Sequence, residues 1–334
     1  MSQVKSIFLL SREMKELIYS DATIARIQEM TENDGRAYLR EDVLANPEAF
    51  KEVEIGFSGW GSPKLDAELL AALPSLKAYF YGAGSVRSFV TEAFWERDIV
   101  LTSAYTANAV PVAEYTVAMM NLSLKRVWAL NNALRGGVHV RDKQGIPGMF
   151  TGSKVGVISL GAIGQLVCNK LKDYSIDVYA YDPFVCDEVF ESCGASKADS
   201  LDWIFSECDV ISLHTPWLPE TENMIGGNHF RQMRSGSTFL NTSRGMVVDE
   251  SAMIRVLTER SDIYAIIDVI QNESEYRASP LGKLPNVFLT PHIAGSMGRE
   301  CHRMGAFAAE ECARYLRDEP QMTQITREKA ALLA

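Results

Sequence analysis

The stretch Ser153-Lys-Val-Gly-Val-Ile-Ser-Leu-Gly-Ala-Ile-Gly-Gln-Leu-Val167, with its continuation to Asp182, decides how the whole chain is read. Val155 to Leu160 is a short, nearly all-apolar run, the pattern of a strand buried on both faces. Gly161 and Gly164 break that run, and Gln165 to Lys172 are helix formers. A second apolar run, Ile176 to Tyr181, ends on Asp182. Strand, glycine turn, helix, strand and acid in that order make a dinucleotide-binding βαβ unit. The glycine turn lets backbone approach a pyrophosphate, whose charge sits among the unpaired N–H groups of the helix N-terminus. An acid at the end of the second strand accepts from ribose hydroxyls and repels a 2′-phosphate. Asp182, followed by Pro183 and Phe184 with no Arg beside it, therefore favours NAD over NADP. The full pattern is G-x-G-x-x-G, and Ser159 stands in its first glycine's place. A positive φ required there would strain a serine.

Outward from this unit, strands and helices alternate. Val4 to Leu10, Glu52 to Ser58, Leu76 to Tyr81 and Ile99 to Ser103 read as strands. A helical tract runs from Arg12 to Met30 and another from Leu65 to Leu73, ended by Pro74. This alternation predicts a small parallel sheet. The turn Gly82-Ala-Gly-Ser85 sits at a strand's C-terminal end, where open α/β sheets bind ligands. It is either an anion-binding nest of backbone N–H groups or a plain βα loop. Asn108-Ala-Val-Pro111 predicts a helix start, with Asn108 as cap and Pro111 in the first turn. Val112 to Val127 is apolar on most faces and reads as a buried connector, packed in a domain junction or a dimer interface. Leu134 to Gly152 reads as a loop or extended arm.

Past the glycine turn, Ser200 caps a helix reaching Phe205. Asp209 to His214, Ser237 to Asn241, Ile263 to Val269 and Asn286 to Thr290 are strands. Phe230 to Met233 and Glu250 to Glu259 are helices, and a long helical pattern from Met297 to Arg317 follows. Both halves are expected to be doubly wound α/β.

At 334 residues, the chain has room for two domains with separate cores. A net charge of −10 argues against nucleic acid or an anionic membrane as partner. The six cysteines show no C-x-x-C and no His partner at metal-ligand spacing, a pattern that gives neither a disulfide framework nor a zinc site. Free thiols in a reducing compartment and no metal are the expectation. Ile7 to Leu10 is too short for a signal-peptide core, and no run is long enough to cross a bilayer. A cytoplasmic location follows as the expectation.

Three strand ends in the second half carry unusual side chains: Arg244, Asp268 with Glu273 beyond it, and His292. Reducing a ketone by hydride calls for a proton for the new alkoxide and a cation for a neighbouring carboxylate. His suits the first task. The planar fork of Arg suits the second. A carboxylate beside the His would fix the ring and stabilise the imidazolium. Periodicity does not show that these groups meet; each also has a plain structural reading, as a turn residue, an interface bridge or a solvated loop charge.

Across nearly its whole length the chain resembles the D-isomer-specific 2-hydroxyacid dehydrogenases. The matching blocks are Asn108 to Glu114, Gly156 to Gly164, Ser212-Leu-His-Thr-Pro216, Asn241-Thr-Ser-Arg-Gly245, Asp268-Val269 with Glu273, and Thr290-Pro-His-Ile-Ala-Gly295. The resemblance implies that Arg244 binds the substrate's carboxylate and carbonyl, that His292 donates the proton and that Glu273 is its partner. It implies cofactor contacts for Gly161, Ala162, Ile163, Gly164, Asp182, Thr215, Pro216, Thr221, Thr242, Ser243, Asp268, His292 and Gly295, with Asp268 at the nicotinamide amide. Ala83 and Gly84, with Arg244 and His292, would hold the substrate. Residues 1–105 plus 298–334 would form a flavodoxin-like substrate-binding domain, and residues 106–297 a Rossmann NAD-binding domain. The long helix after Asn108 would pack in a homodimer interface, and the two domains would close on the substrate.

The departures are specific. Ala162 stands where many members carry a basic residue near the pyrophosphate, which implies weaker cofactor binding. Ser274 replaces a common Pro and implies a looser loop. No C-terminal regulatory extension of the kind some phosphoglycerate dehydrogenases carry is expected. Glu273 in place of Gln sets it apart from formate dehydrogenases. The function implied is NAD-dependent interconversion of a small 2-oxo acid and its D-2-hydroxy acid. The rival is a non-catalytic NAD-responsive binding protein of the corepressor kind on the same fold. A dehydrogenase of phosphite or formate is a third reading.

Overall fold

The computed structural model describes residues 3–138 and 146–332. The chain divides into two compact units, Met1–Asn108 with Ser296–Ala334, and Ala109–Gly295.

The first unit is built on five parallel strands, β1 (Ser6–Leu9), β2 (Ala37–Tyr38), β3 (Ile55–Ser58), β4 (Ala78–Tyr81) and β5 (Val100–Ser103), in the order β2-β1-β3-β4-β5. That order, with its reversal between β1 and β3, is the flavodoxin-like winding. Every residue of β1, β3 and β4 is buried, as expected of a sheet covered on both faces. Phe8, Phe57 and Phe80 are register partners on adjacent strands, and their rings follow one another at 5.6 Å. Tyr315, on the helix Cys301–Leu316, continues the row 5.9 Å from Phe80. The chain thus returns near its end to cover the sheet on which it began. Gly305 makes this return close: a Cβ there would lie 2.2 Å from the carbonyl oxygen of Ile18.

The segment that follows is pinned by Glu311, a fully buried carboxylate. It accepts from the N–H groups of Met322 and Thr323 and from the Thr323 hydroxyl. Ile325 then donates to Leu101 on β5. Burying this charge is tolerable because donors surround it.

The second unit has seven parallel strands: β6 (Lys154–Ile158), β7 (Asp177–Tyr181), β8 (Ser196–Lys197), β9 (Val210–Leu213), β10 (Thr238–Asn241), β11 (Tyr264–Ile267) and β12 (Val287–Leu289). Their order is β12-β11-β10-β9-β6-β7-β8. This is the Rossmann winding with one added strand, and the order reverses between β6 and β9, the position where such sheets bind ligands. Ser200 caps the helix Leu201–Glu207 by accepting from Trp203, as its sequence position predicts. The six cysteines are free, and five are buried. Among the described residues no helix is long and apolar enough to cross a membrane.

Several local expectations need correction. The tract Arg12 to Met30 is two helices, Arg12–Ile18 and Asp21–Met30. Tyr19 leaves helical geometry so that its hydroxyl can donate to the carbonyl of Ser58, and Ser20 caps the second helix. Asn108 is no cap, because the helix already begins at Tyr105 and runs to Leu124 with Pro111 inside it. The N–H of Asn108 joins the helix by donating to Ala104. Its side chain is free to accept from the N–H of Ser296. A helix, Val127–Arg135, takes the first residues of the expected arm; residues 139–145 of that arm lie outside the described residues. The short pieces Ala37–Tyr38, Arg40–Ala45, Pro47–Phe50, Asp187–Cys193 and Arg327–Leu332 have no counterpart in the sequence reading.

Candidate active site

The glycine turn follows β6 and opens the helix Ala162–Leu171. Gly164 faces the strand end so closely that a Cβ would lie 2.0 Å from the carbonyl oxygen of Ser159. Only glycine permits that strand–helix approach. Gly161 has the opposite surroundings, since a Cβ there would meet nothing within 4 Å among the described residues. Its backbone is open on the side where a pyrophosphate would come. Ala162, Ile163 and Gly164 supply the first-turn N–H groups that no intrahelical carbonyl reaches. Ser159 has φ of 75°, in the left-handed region where a serine is strained. Its hydroxyl lies 2.7 Å from that of Thr215.

Asp182 follows β7 and is nearly buried. Its Oδ2 accepts from the N–H of Leu160 at 2.8 Å, and its Oδ1 accepts from Phe184 at 2.8 Å. The acid therefore ties the second strand to the glycine turn. Each carboxylate oxygen retains a lone pair for a ribose hydroxyl. These features fit a dinucleotide: an open backbone cradle, a helix N-terminus and a carboxylate in register.

Around β9, Thr221 closes the loop after Thr215 by donating to the carbonyl of Pro216 at 2.6 Å. His214, one residue before, is buried, with Nε2 2.9 Å from the Ser212 hydroxyl. Burial pushes its pKa down to about 3, so the ring is neutral. Thr242 and Ser243 follow β10. The Thr242 hydroxyl meets that of Thr116 at 3.3 Å, and Ser243 donates through both its N–H and its hydroxyl to Asn241.

Arg244 comes next, half-buried, with Nη1 donating to the carbonyl of Ser243 at 2.7 Å. Gly245 explains its neighbours. A Cβ there would lie 2.1 Å from the carbonyl carbon of Ile270, so the loops after β10 and β11 run in contact. The loop after β11 carries Glu273, and its Oε2 lies 2.9 Å from Nδ1 of His292, which follows β12. Three strand ends of one parallel sheet thus bring Arg244, Glu273 and His292 to the same edge.

Asp268 underlies this edge. The resemblance sets it at the nicotinamide amide, and its carboxylate is fully buried with three protein donors. Oδ1 accepts from the Thr290 hydroxyl and the Ile293 N–H, and Oδ2 from the Ala294 N–H. Its carbonyl accepts from the His292 N–H at 2.9 Å and from the Tyr276 hydroxyl at 2.8 Å. The turn that carries His292, itself at φ 54°, is wrapped around this one residue. Gly295 ends the same turn and the unit.

Tyr276 and Tyr115 are parts of this support that the sequence did not single out. Tyr115 lies on the long helix, 3.0 Å from the Thr290 hydroxyl. Burial, followed by the charges of Glu273 and Asp268, raises the Tyr276 phenol well above its ordinary range. It is a hydrogen-bond donor and not an acid at neutral pH. Ser274 donates to Asn272, which caps the turn Glu273–Glu275, so the serine is itself a fastening of that loop.

Ala83 and Gly84 belong to the first unit, after β4. The Ser103 hydroxyl, at the end of β5, lies 2.9 Å from the carbonyl oxygen of Ala83 and 2.5 Å from that of Gly84. Both carbonyls are thereby turned toward the sheet. Among the described residues, only the Asn108 amide, 4.0 Å away, approaches the position of a Cβ on Gly84.

The NAD-binding-domain model of the D-isomer specific 2-hydroxyacid dehydrogenases matches residues 117–294, more than half of the chain. The chain belongs to this family. The dehydrogenases it resembles in sequence include D-3-phosphoglycerate dehydrogenase of Archaeoglobus fulgidus, 33% identical over 249 residues, which make up 74% of this chain and 47% of that one. Glyoxylate reductase of Thermofilum pendens is 29% identical over 271 residues, 79% of either chain. The chain spans about half the length of the phosphoglycerate dehydrogenases that match it first. The fold is shared with the crystal structure of a phosphoglycerate oxidoreductase from Rhizobium etli, at a TM-score of 0.81 and 21% identity, over 98% of this chain and 99% of that one. The family's domain is NAD-binding, and it covers the glycine turn, Asp182 and the Arg244–Glu273–His292 edge.

Proposed function

We propose that the protein is an NAD-dependent oxidoreductase interconverting a small 2-oxo acid and its D-2-hydroxy acid. The observation that carries this reading is the Glu273–His292 pair, 2.9 Å apart at the sheet edge that also presents Arg244, within an NAD-binding domain of this family.

When bound, NADH supplies a hydride to the carbonyl carbon. The first-turn N–H groups of residues 161–164 would hold its diphosphate, and Asp182 its adenosine ribose. Thr215, Pro216, Thr221, Thr242, Ser243, Asp268 and Gly295 would line the remainder of its path. Arg244 binds the substrate carboxylate in a forked pair of hydrogen bonds and polarises the carbonyl. Protonated His292 donates from Nε2 to the oxygen as it becomes an alkoxide, and accepts that proton back in the oxidative direction. Glu273, on Nδ1, fixes the ring and balances the imidazolium. The N–H groups of Ala83 and Gly84 would take the substrate carboxylate's outer oxygen, which assigns residues 1–105 plus 298–334 to substrate binding and residues 106–297 to NAD.

Two features set this reading above an NAD-responsive sensor or a formate dehydrogenase. A proton donor is superfluous for formate, and a sensor has no use for an exposed His held in strained backbone. The protein is proposed to be a cytoplasmic homodimer. Leu134, Val138 and Phe150 present apolar side chains more than half exposed, which supports a partner at these three residues. Sedimentation of the purified chain tests the dimer. The activity is tested by following NADH absorbance with glyoxylate, hydroxypyruvate, pyruvate, phenylpyruvate and branched-chain 2-oxo acids. Turnover of one of them supports the assignment; flat traces with NADH binding intact would turn it toward the sensor.

A further inference from the structure

Ser159 occupies the place of the first glycine in the turn, and its backbone lies in the left-handed region at φ 75°. A side chain there costs strain that glycine avoids. Strain of this kind at a ligand site is expected to serve the site, and the position of the hydroxyl shows how.

Ser159 Oγ and Thr215 Oγ1 lie 2.7 Å apart. Thr215 is buried on the loop after β9, and Ser159 directly follows β6, so the pair spans the point where the strand order reverses. Two hydroxyls joined in one hydrogen bond carry two protons and use one. Among the described residues, neither hydroxyl has another protein partner, and one donor remains. The charge around it favours an anion. The helix Ala162–Leu171 begins here, the backbone of Gly161 is open, and the nearby carboxylate, Asp182, is held by the N–H groups of Leu160 and Phe184.

We infer that Ser159 is a diphosphate-binding residue, the Ser159–Thr215 hydroxyl pair presenting its spare proton to a diphosphate oxygen of NAD. The serine is then an exchange of backbone ease for one more donor, which offsets the missing basic residue at Ala162. The inference rests on NAD binding by this unit.

The test uses the full chain with Ser159→Gly and Ser159→Ala, reading thermal unfolding without ligand and affinity for NADH, ADP-ribose and adenosine. Ser159→Gly relieves the strained φ, so its melting temperature rises. It also loses the donor, so NADH and ADP-ribose bind about tenfold more weakly while adenosine, which has no diphosphate, binds as before. Ser159→Ala gives the same weakening without the gain in melting temperature. NADH affinity unchanged or improved in Ser159→Gly would overturn the inference, making the serine a tolerated replacement. Equal losses for NADH and adenosine would overturn it too, because the turn would then have shifted as a whole. A wild-type chain that binds none of the three ligands would instead overturn the NAD reading itself.

Discussion

Nδ1 of His292 and Oε2 of Glu273 stand 2.9 Å apart, and the two side chains are 45% and 42% exposed. A pair this accessible contributes little to stability, because water screens both charges. Its geometry is nonetheless held from below. The N–H of His292 donates to the carbonyl of Asp268, and the residue sits at φ 54°, a conformation that favours glycine. The fold therefore sustains local strain to hold an exposed acid–base pair in place.

Removing the imidazole should separate chemistry from stability. His292→Ala is expected to lower kcat by about 10²–10⁴ while leaving NADH affinity and melting temperature near wild type. His292→Gly should lose turnover equally and gain up to about 1 kcal/mol of stability, since it relieves the positive φ. Steady-state kinetics with a 2-oxo acid, together with urea unfolding, check both. Turnover surviving in His292→Ala would place the proton donor elsewhere.

Asp268→Asn tests the support under that pair. The carboxylate accepts from Thr290, Ile293 and Ala294, and an amide in its place turns a donor toward at least one of them. A buried unsatisfied donor costs about 1–3 kcal/mol, and urea unfolding should show a loss of that size. Because the affected turn carries His292, kcat should fall as well. An unchanged unfolding midpoint would mean that the turn holds without this carboxylate.

The sequence made the central architecture readable for a physical reason. Strands buried on both faces appear as unbroken apolar runs; β9, β10 and β11 each lie inside the stretch read as a strand, and β6 begins one residue before its own. The Ser200 cap and the helix Glu250–Glu259 follow equally local rules. Where a long-range contact overrides local preference, the reading failed. Tyr19 breaks a helical tract to reach Ser58, which lies far along the chain. Asn108 loses its capping role because the helix starts a turn earlier and the amide is taken by Ser296. At the site, residue types marked Arg244, Glu273 and His292, but only folding shows Asp268 turning inward. Tyr115 and Tyr276 carry no local pattern that sets them apart from core aromatics.

His214 gives the stability a pH dependence whose sign is fixed by burial. Its folded pKa is lowered to about 3 from an ordinary value of 6.5, so below pH 6.5 the unfolded chain binds a proton that the folded chain refuses. The stability tied to the neutral ring is present above that value and is lost as pH falls. By linkage the loss between pH 7 and pH 5 is about 2 kcal/mol. His214→Gln, which cannot titrate, should unfold with a shallower pH slope over this window. Parallel slopes for the two proteins would show that the ring takes up its proton without unfolding the chain.

Asp182 should set the choice between the two nicotinamide cofactors through charge as well as hydrogen bonding. Its oxygens are already held by Leu160 and Phe184, so the carboxylate cannot swing away from a 2′-phosphate. The repulsion is built into the backbone of the glycine turn. Asp182→Ala removes the ribose acceptor, and NADH should bind about tenfold more weakly. NADPH should lose far less, or gain, because a fixed negative charge has gone. The two freed N–H groups also leave the turn less firmly held, at about 1–2 kcal/mol of stability. Asp182→Asn removes the charge and keeps one acceptor oxygen, while its NH2 group faces the N–H of Leu160 or of Phe184, at a cost in stability that falls on both cofactors alike. Fluorescence titrations with both cofactors decide the matter: equal losses for NADH and NADPH in Asp182→Asn would mean that the acid shapes the turn and does not select the cofactor.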